Sequence, residues 1–335
     1  MNYPIRICLI SSHLFGHCAL EGILESDEYK KGLIECPLVL SHPSLKRKSI
    51  VGFKDFTEIT LKNKISNILI NSAKTDEAFD FIQELLPDFI FVIGWSELVP
   101  QKILDIPKIK HKGHLRHTSY YGCIGMHPTL LPQGRGRAPI PWTIINDLDE
   151  TGVTVFLLEE AADAGGIILQ EKIKIASNET ATTLFRKCAT KHFSLGKNLA
   201  SIIAKRKLSW LDQDNKLATF WKKRRPEDGE IDFNTKVLEI DRFVRALADP
   251  YPSSFFLYQD KIISVKKINF YFEKDFPQYE LTHPGTIVFI SAQNKPVIRA
   301  KDGYIECLNI QTEEIIPQFL PFTMVQGYCE YVQVL

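Results

Sequence analysis

The chain has 335 residues, of which 44% are hydrophobic and 24% charged, enough apolar material for a sizeable core and, at roughly 100–200 residues per domain, for two domains. Forty-one basic side chains against forty acidic ones leave a formal net charge of +1, which excludes a global field drawing the protein to nucleic acid or an anionic membrane; any basic patch must be local. The seven cysteines are odd in number, scattered and without a CxxC pair, the pattern of buried thiols in a reducing, cytoplasmic setting.

The opening residues MNYPIRICLISSHLFGH hold an apolar stretch too short and too interrupted for a secretory h-region, and no later run approaches 18 apolar residues. Neither secretion nor a membrane span is expected. Instead IRICLI (5–10) reads as a buried strand followed by small and polar residues and the helix-like CALEGILESDEYKKG. The pattern recurs with LIECPLVL (33–40), ISNILI (66–71) and DFIFVIG (88–94) as strands, and TDEAFDFIQELL (75–86) as an amphipathic helix. YGCIGMH (121–127) is the next strand. Alternation of this kind predicts a doubly wound, Rossmann-like parallel α/β sheet.

ETGVTVFLLEE and IILQEKIKI read as two further strands, and a long helix is expected from about Thr180 to Lys205. FWKKRRPEDGEIDF (220–233) is charged, contains Pro226 and Gly229 and lacks a sustained period, so it is the linker candidate. Beyond it, KVLEIDRFVRAL (236–247) is an amphipathic helix, and SSFFLY, KIISVKKINFYF, GTIVFIS, PVIRA and GYIECLNI are short strands separated by turn residues. They predict a smaller β-rich domain resembling an open OB-like barrel. The division expected is a catalytic domain at 1–208, a linker at 209–232 and the β-rich domain at 233–335.

One histidine stands out. His127 ends the strand 121–127 and is followed by Pro128, Pro132, Gly134 and Gly136, residues that keep the loop out of helix and fix where the imidazole points. In open α/β sheets the carboxyl ends of the strands are where ligands bind. Asp163, in the small-residue turn EEAADAGGIILQ (159–170), can reach a histidine at a neighbouring strand end and stabilise its protonated form. Read singly, each has a plainer alternative: His127 as a core histidine, Asp163 as a turn residue bonding local amides.

HPTLLPQGRGRAPIPW, DETGVTVF, AADAGGIILQ, RRPEDGEIDF and DRFVRALADPYP together resemble the folate-dependent formyltransferases, from about residue 85 to the end of the second domain. That family includes methionyl-tRNA formyltransferases and nucleotide-sugar N-formyltransferases. The resemblance implies transfer of a formyl group from N10-formyltetrahydrofolate to an amine, with no metal, and with His127 and Asp163 as catalytic residues. It places the family's catalytic asparagine on Gly125, a departure that removes a donor to the tetrahedral oxyanion, where losing one typically costs about 10²–10³ in rate. It further implies that the folate meets Trp95, Ser96, Glu97 and Leu98 after one strand and Ala161 and Asp163 in the turn, chiefly through backbone groups.

Within the family, GRGRAPIPW is nearer the sugar enzymes, which make surface polysaccharides such as lipopolysaccharide O-antigen. Arg135 and Arg137, with Pro139, are then candidates for the nucleotide diphosphate, guanidinium being suited to bidentate phosphate contact. The implied partner is a small nucleotide sugar. Nucleic acid enters only under a methionyl-tRNA alternative, no membrane partner is implied, and a homodimer is compatible. A catalytically weak folate-binding relative is the other alternative, motivated by Gly125.

The basic clusters KRK (46–48) and KKRR (222–225) can contact phosphates or form solvated faces. An insertion, IKHKGHLRHTSY (109–120), carries His111, His114 and His117 at three-residue spacing. It permits a zinc reading with Cys123 or His127, or a polar surface loop. It also offers donors, among them Arg116, His117, Thr118 and Ser119, that can fold back to replace the one missing at Gly125.

Overall fold

Strands β1 (Ile5–Ile10), β2 (Ile34–Ser41), β3 (Ser66–Leu69), β4 (Phe89–Ile93), β5 (Gly122–His127), β6 (Glu150–Leu157) and β7 (Ile167–Lys174) build one seven-stranded sheet. The computed structural model describes residues 3–112, 117–312 and 316–325. The strand order β3-β2-β1-β4-β5-β6-β7 reverses direction at β1, so that the crevice between the ends of β1 and β4 is the topological switch point. β1, β4 and β5 are buried almost throughout, as parallel strands covered on both faces must be.

The pairs β1–β2, β2–β3, β1–β4 and β4–β5 are parallel, as the alternation of strands and helices predicts. β6 and β7 are not: β5–β6 and β6–β7 are antiparallel, which makes the sheet mixed. Only residues 158–166 join β6 to β7, without a helix, and a parallel return requires a crossover of a dozen residues or more. Helix α1 (Leu14–Leu24) is N-capped by His13, and α2 (Asp76–Leu85) by Thr75 with Asp76 and Glu77 in its first turn. Helix α3 runs Ala181–Ala204. Among the described residues no helix is long and apolar enough to cross a membrane.

The chain divides into two compact units, 1–139, 150–174 and 185–222 in one, and 140–149, 175–184 and 223–335 in the other. The expected linker is thus partly structural. Phe220–Trp221 forms a short parallel ladder with Arg135–Gly136, and Leu211 bridges Ile167, so 209–222 packs with the first unit despite its charge and prolines.

In the second unit α4 (Val237–Ala246), β8 (Ser254–Tyr258), β9 (Lys261–Val265), β10 (Ile268–Phe272), β11 (Ile287–Ile290), β12 (Pro296–Ala300), β13 (Gly303–Cys307) and β14 (Ile310–Gln311) follow the expected order. The run 261–272 is two strands in different sheets. β8-β9-β14 and β10-β13-β12-β11 are both antiparallel. Val237, Ile240 and Val244 of α4 join Phe256, Ile263, Val265, Ile298 and Ile305 in one core.

Candidate active site

His127 is the last residue of β5 and 8% exposed. Its Nε2 lies 2.8 Å from the Gly134 carbonyl. A carbonyl only accepts, so Nε2 carries the proton and Nδ1 holds the lone pair of the neutral ring. The Gly134 peptide is itself fixed, its N–H donating to Thr219 Oγ1 at 2.8 Å. The loop between is pinned to β6: Thr154 Oγ1 donates to Thr129 O at 2.7 Å and accepts from Leu131 N at 3.2 Å. Prolines and glycines that read as helix-breaking thus fold into a loop that sets the imidazole from both ends.

Asp163 Oδ2 lies 3.9 Å from His127 Nδ1, with the two side chains 20% and 10% exposed. The carboxylate also accepts from Gly136 N–H at 2.9 Å, and its residue sits at φ 54°, a left-handed conformation that aspartate tolerates better than most. The turn conformation therefore leaves the Asp163 carboxylate beside the His127 ring. Orientation of the ring comes from Gly134, while Asp163 supplies negative charge beside Nδ1.

Arg135, expected to meet a diphosphate, is only 4% exposed. Its guanidinium donates to Gln213 Oε1 at 3.1 and 2.7 Å and to Asn215 Oδ1 at 2.9 Å, beneath the ring of Phe220. Gln213 in turn donates to the carbonyls of Asp163 and Gly165 at 2.9 and 2.7 Å. Arg135 is a clamp on the Asp163 turn and is withdrawn as a phosphate ligand. Arg137 is exposed and bonds Ser96 O at 3.2 Å; Pro139 opens the helix Pro139–Ile145.

After β4, the side chain of Glu97 turns away to accept from Ser72 Oγ at 2.7 Å and Ala73 N at 3.2 Å. Trp95 stacks on His42 with ring centroids 4.0 Å apart, and Leu98 and Ala161 are exposed. The backbone N–H groups of Trp95, Ser96, Glu97 and Leu98 donate to no described residue. A strand end with free peptide donors beside backbone carbonyls suits a flat heterocycle with alternating donors and acceptors, so the residues present fit a pterin. KRK (46–48) lies in an exposed 3₁₀ turn beyond the carboxyl end of β2.

Gly125 faces apolar neighbours. A Cβ there would lie 2.8 Å from Leu158 Cδ2 and 3.0 Å from the Phe156 ring, so the place an asparagine would take is filled. The described residues of the inserted loop lie away from that place. His117 packs against Gly122, and its Nδ1 accepts from Cys123 N at 3.4 Å, at the amino end of β5, about 16 Å from His127 at roughly 3.3 Å per residue. His111 lies 2.8 Å from Asp88 Oδ1, and Ser119 donates to Leu208 O at 2.9 Å. His114 and Arg116 fall outside the described residues, and no group of three metal-ligating side chains occurs among those described.

Three histidines that sequence reasoning passed over belong to this region. His42 shares a 2.9 Å hydrogen bond with Ser12 Oγ. His13 caps α1, and His192 of α3 is wholly buried, donating from Nδ1 to Cys188 O at 2.7 Å and stacked on Phe15 with centroids 4.3 Å apart. Burial pushes His192 down to about 3, the bond to Cys188 opposing and the charges of His13 and His127 adding. For His13 the signal was SSHLFGH directly after a buried strand, where a polar residue opening a helix sits at a strand's carboxyl end.

Comparison with known proteins bears on this arrangement. The sequence model of formyl transferase matches residues 46–195, and that of the formyl transferase C-terminal domain matches 223–317. A methionyl-tRNA formyltransferase of Ehrlichia canis is 30% identical over 92% of this chain and 93% of its own length. The bifunctional polymyxin resistance protein ArnA of Wigglesworthia glossinidia brevipalpis is 30% identical over 82% of this chain, which spans only 39% of that protein. In fold, the chain resembles WlaRD, a sugar 3N-formyl transferase solved in the presence of dTDP and 5-N-formyl-THF, with a TM-score of 0.61 and 18% identity over 93% of this chain and 99% of that one.

Proposed function

We propose that this chain, which belongs to the formyl transferase family, moves a formyl group from N10-formyltetrahydrofolate to the amine of a nucleotide-linked amino sugar in the cytoplasm. The observation that carries the reading is His127 at the carboxyl end of β5, with Nε2 on Gly134 O and Nδ1 toward Asp163. The catalytic domain is the unit holding the sheet, and the folate is held by the backbone of Trp95 to Leu98 with Ala161 and Asp163 at its edge.

The folate supplies the formyl carbon and the nitrogen that leaves. His127 acts at Nδ1, taking the proton that the amine loses as its nitrogen bonds the formyl carbon. Asp163, 3.9 Å away, stabilises the imidazolium so formed. His127 then returns the proton to the departing folate nitrogen, leaving a formamide and tetrahydrofolate. Arg137, exposed beside Ser96, is the arginine left to pair with a diphosphate.

The likeness of fold to a sugar enzyme over nearly the whole of both chains and the net charge of +1 favour the sugar acceptor. A methionyl-tRNA acceptor is the second reading, favoured by the identity to the Ehrlichia canis protein. Formyl transfer assayed with a panel of nucleotide amino sugars and with initiator methionyl-tRNA separates them. Turnover of a sugar with weak salt dependence is expected. Turnover of tRNA alone, lost steeply as salt rises, overturns the sugar reading, and folate binding with no turnover at all points to the weak relative.

A further inference from the structure

We propose that His13 donates a hydrogen bond from Nε2 to the formyl oxygen, on the opposite side of the β4 strand end from His127. The inference rests on the formyl-transfer reading. It starts from the tautomer. His13 Nδ1 accepts the Phe15 backbone N–H at 3.1 Å as the cap of α1, so the ring proton of neutral His13 sits on Nε2. That N–H donates to no described residue. Packing with Phe15 and Phe185, at centroid distances of 4.5 and 5.4 Å, fixes the ring, and burial pushes its pKa down to about 4. His13 is therefore a neutral donor of fixed direction at physiological pH.

Its position follows from strand register. β4 pairs with β5 in parallel with Ile93 opposite Met126, which puts Gly94 level with His127 about 4.8 Å away. The His13 ring lies over Gly94: a Cβ on that residue would fall 2.4 Å from His13 Cβ and 2.7 Å from Cγ. Gly52 leaves the space at the other end of the ring, where a Cβ would fall 2.5 Å from Nε2. Both glycines have positive φ, 63° and 71°, a conformation other residues rarely adopt. Two glycines thus let the ring lie close against the backbone at both of its ends, and Gly94 is level with His127 on the neighbouring strand.

β5 supplies no donor of its own on the His127 face, since Gly125 is packed by Phe156 and Leu158. A carbonyl held between His13 and His127 has a donor for the charge that develops on oxygen and a base for the proton on nitrogen, the arrangement acyl transfer requires. No atom of His13 enters a bond or changes charge in the reaction.

The test uses the full chain and two variants, His13→Asn and His13→Ser. Both residues are good helix caps, so α1 keeps its N-terminus while Nε2–H is lost, and thermal melts verify the fold. Binding is titrated with a stable 10-formyl deaza-analogue of the folate and with the same analogue lacking the formyl group. The wild type is expected to prefer the formylated form about tenfold, and the variants to bind both forms alike; on a substrate, kcat is expected to fall about 10²-fold and KM for the donor to rise by up to about tenfold. Equal binding of the two forms by the wild type, or an undiminished preference in both variants, overturns the proposal. A preference that the variants lose, in a wild type that formylates no amino sugar, supports the role of His13 and overturns the acceptor reading instead.

Discussion

The Nδ1 of His127 and Oδ2 of Asp163 stand 3.9 Å apart, too far for a hydrogen bond and close enough for charge. The carboxylate is occupied by Gly136 N–H, and the imidazole by Gly134 O. His127→Ala is therefore expected to lower kcat by at least about 10²-fold with the folate affinity nearly intact. Asp163→Asn keeps an oxygen for Gly136 but removes the charge, and is expected to lower kcat with little change in KM for the formyl donor. Steady-state kinetics on both variants check this; an unchanged kcat in Asp163→Asn confines Asp163 to shaping its turn.

Arg135 is expected to act on stability, with a catalytic consequence. Arg135→Met leaves Gln213 without its donor, and Gln213 holds the carbonyls of Asp163 and Gly165. A loss of about 1–3 kcal/mol is expected, seen as a lower urea midpoint, together with a lower kcat. KM for the nucleotide sugar should not move, whereas Arg137→Ala should raise it.

Restoring asparagine at Gly125 is expected to harm rather than help. The new Cβ meets Leu158 Cδ2 at 2.8 Å and Phe156 at 3.0 Å, and overpacking of this kind typically costs about 1–3 kcal/mol. Thermal melts and kcat of Gly125→Asn check it; a large gain in kcat with an unchanged Tm contradicts the packing argument.

The loop near His117 is expected to be dispensable for chemistry, because it meets β5 at Gly122 and not at His127. His111→Ala, which leaves Asp88 with Lys110 and the Arg6 amide, should lower Tm slightly and leave kcat within about twofold, since a partly exposed ion pair contributes little. A tenfold loss of kcat overturns this.

His192 gives the protein an acid-sensitive core. Its folded pKa of about 3 lies below the ordinary histidine value near 6.5, so between those limits the unfolded chain binds the proton that the folded chain refuses. Stability is then full above about pH 6.5 and falls toward pH 3, by up to about 1.4 kcal/mol per pH unit. His192→Phe preserves the stack on Phe15 and removes the buried Nε2 that lacks a partner. Urea midpoints measured at pH 7 and pH 5 should differ less in this variant than in the wild type.

The parallel half of the sheet was legible because β1, β4 and β5 are continuous apolar runs, and the place of His127 at a strand end was legible because prolines and glycines mark the loop after it. Periodicity carries no direction, so the reversal at β6 and β7 was not. Arg135 looked like a surface phosphate ligand because its partners, Gln213 and Asn215, lie 78 and 80 residues on. Where the described part of the insertion meets β5 was not legible for a related reason: entry into the right strand says nothing about which end. His13 was missed because a helix cap and a donor look the same in one dimension.

The ladder between Arg135–Gly136 and Phe220–Trp221 bears on where the chain can be cut. A fragment ending at 208 keeps every strand of the large sheet, yet loses Gln213, Asn215 and Thr219, and with them the outer support of both the histidine loop and the aspartate turn. Such a fragment should be soluble and inert, while one ending at 222 keeps the support. The frontier of autonomy in this protein is set by what braces its two loops, eighteen residues beyond the end of α3 at Ala204.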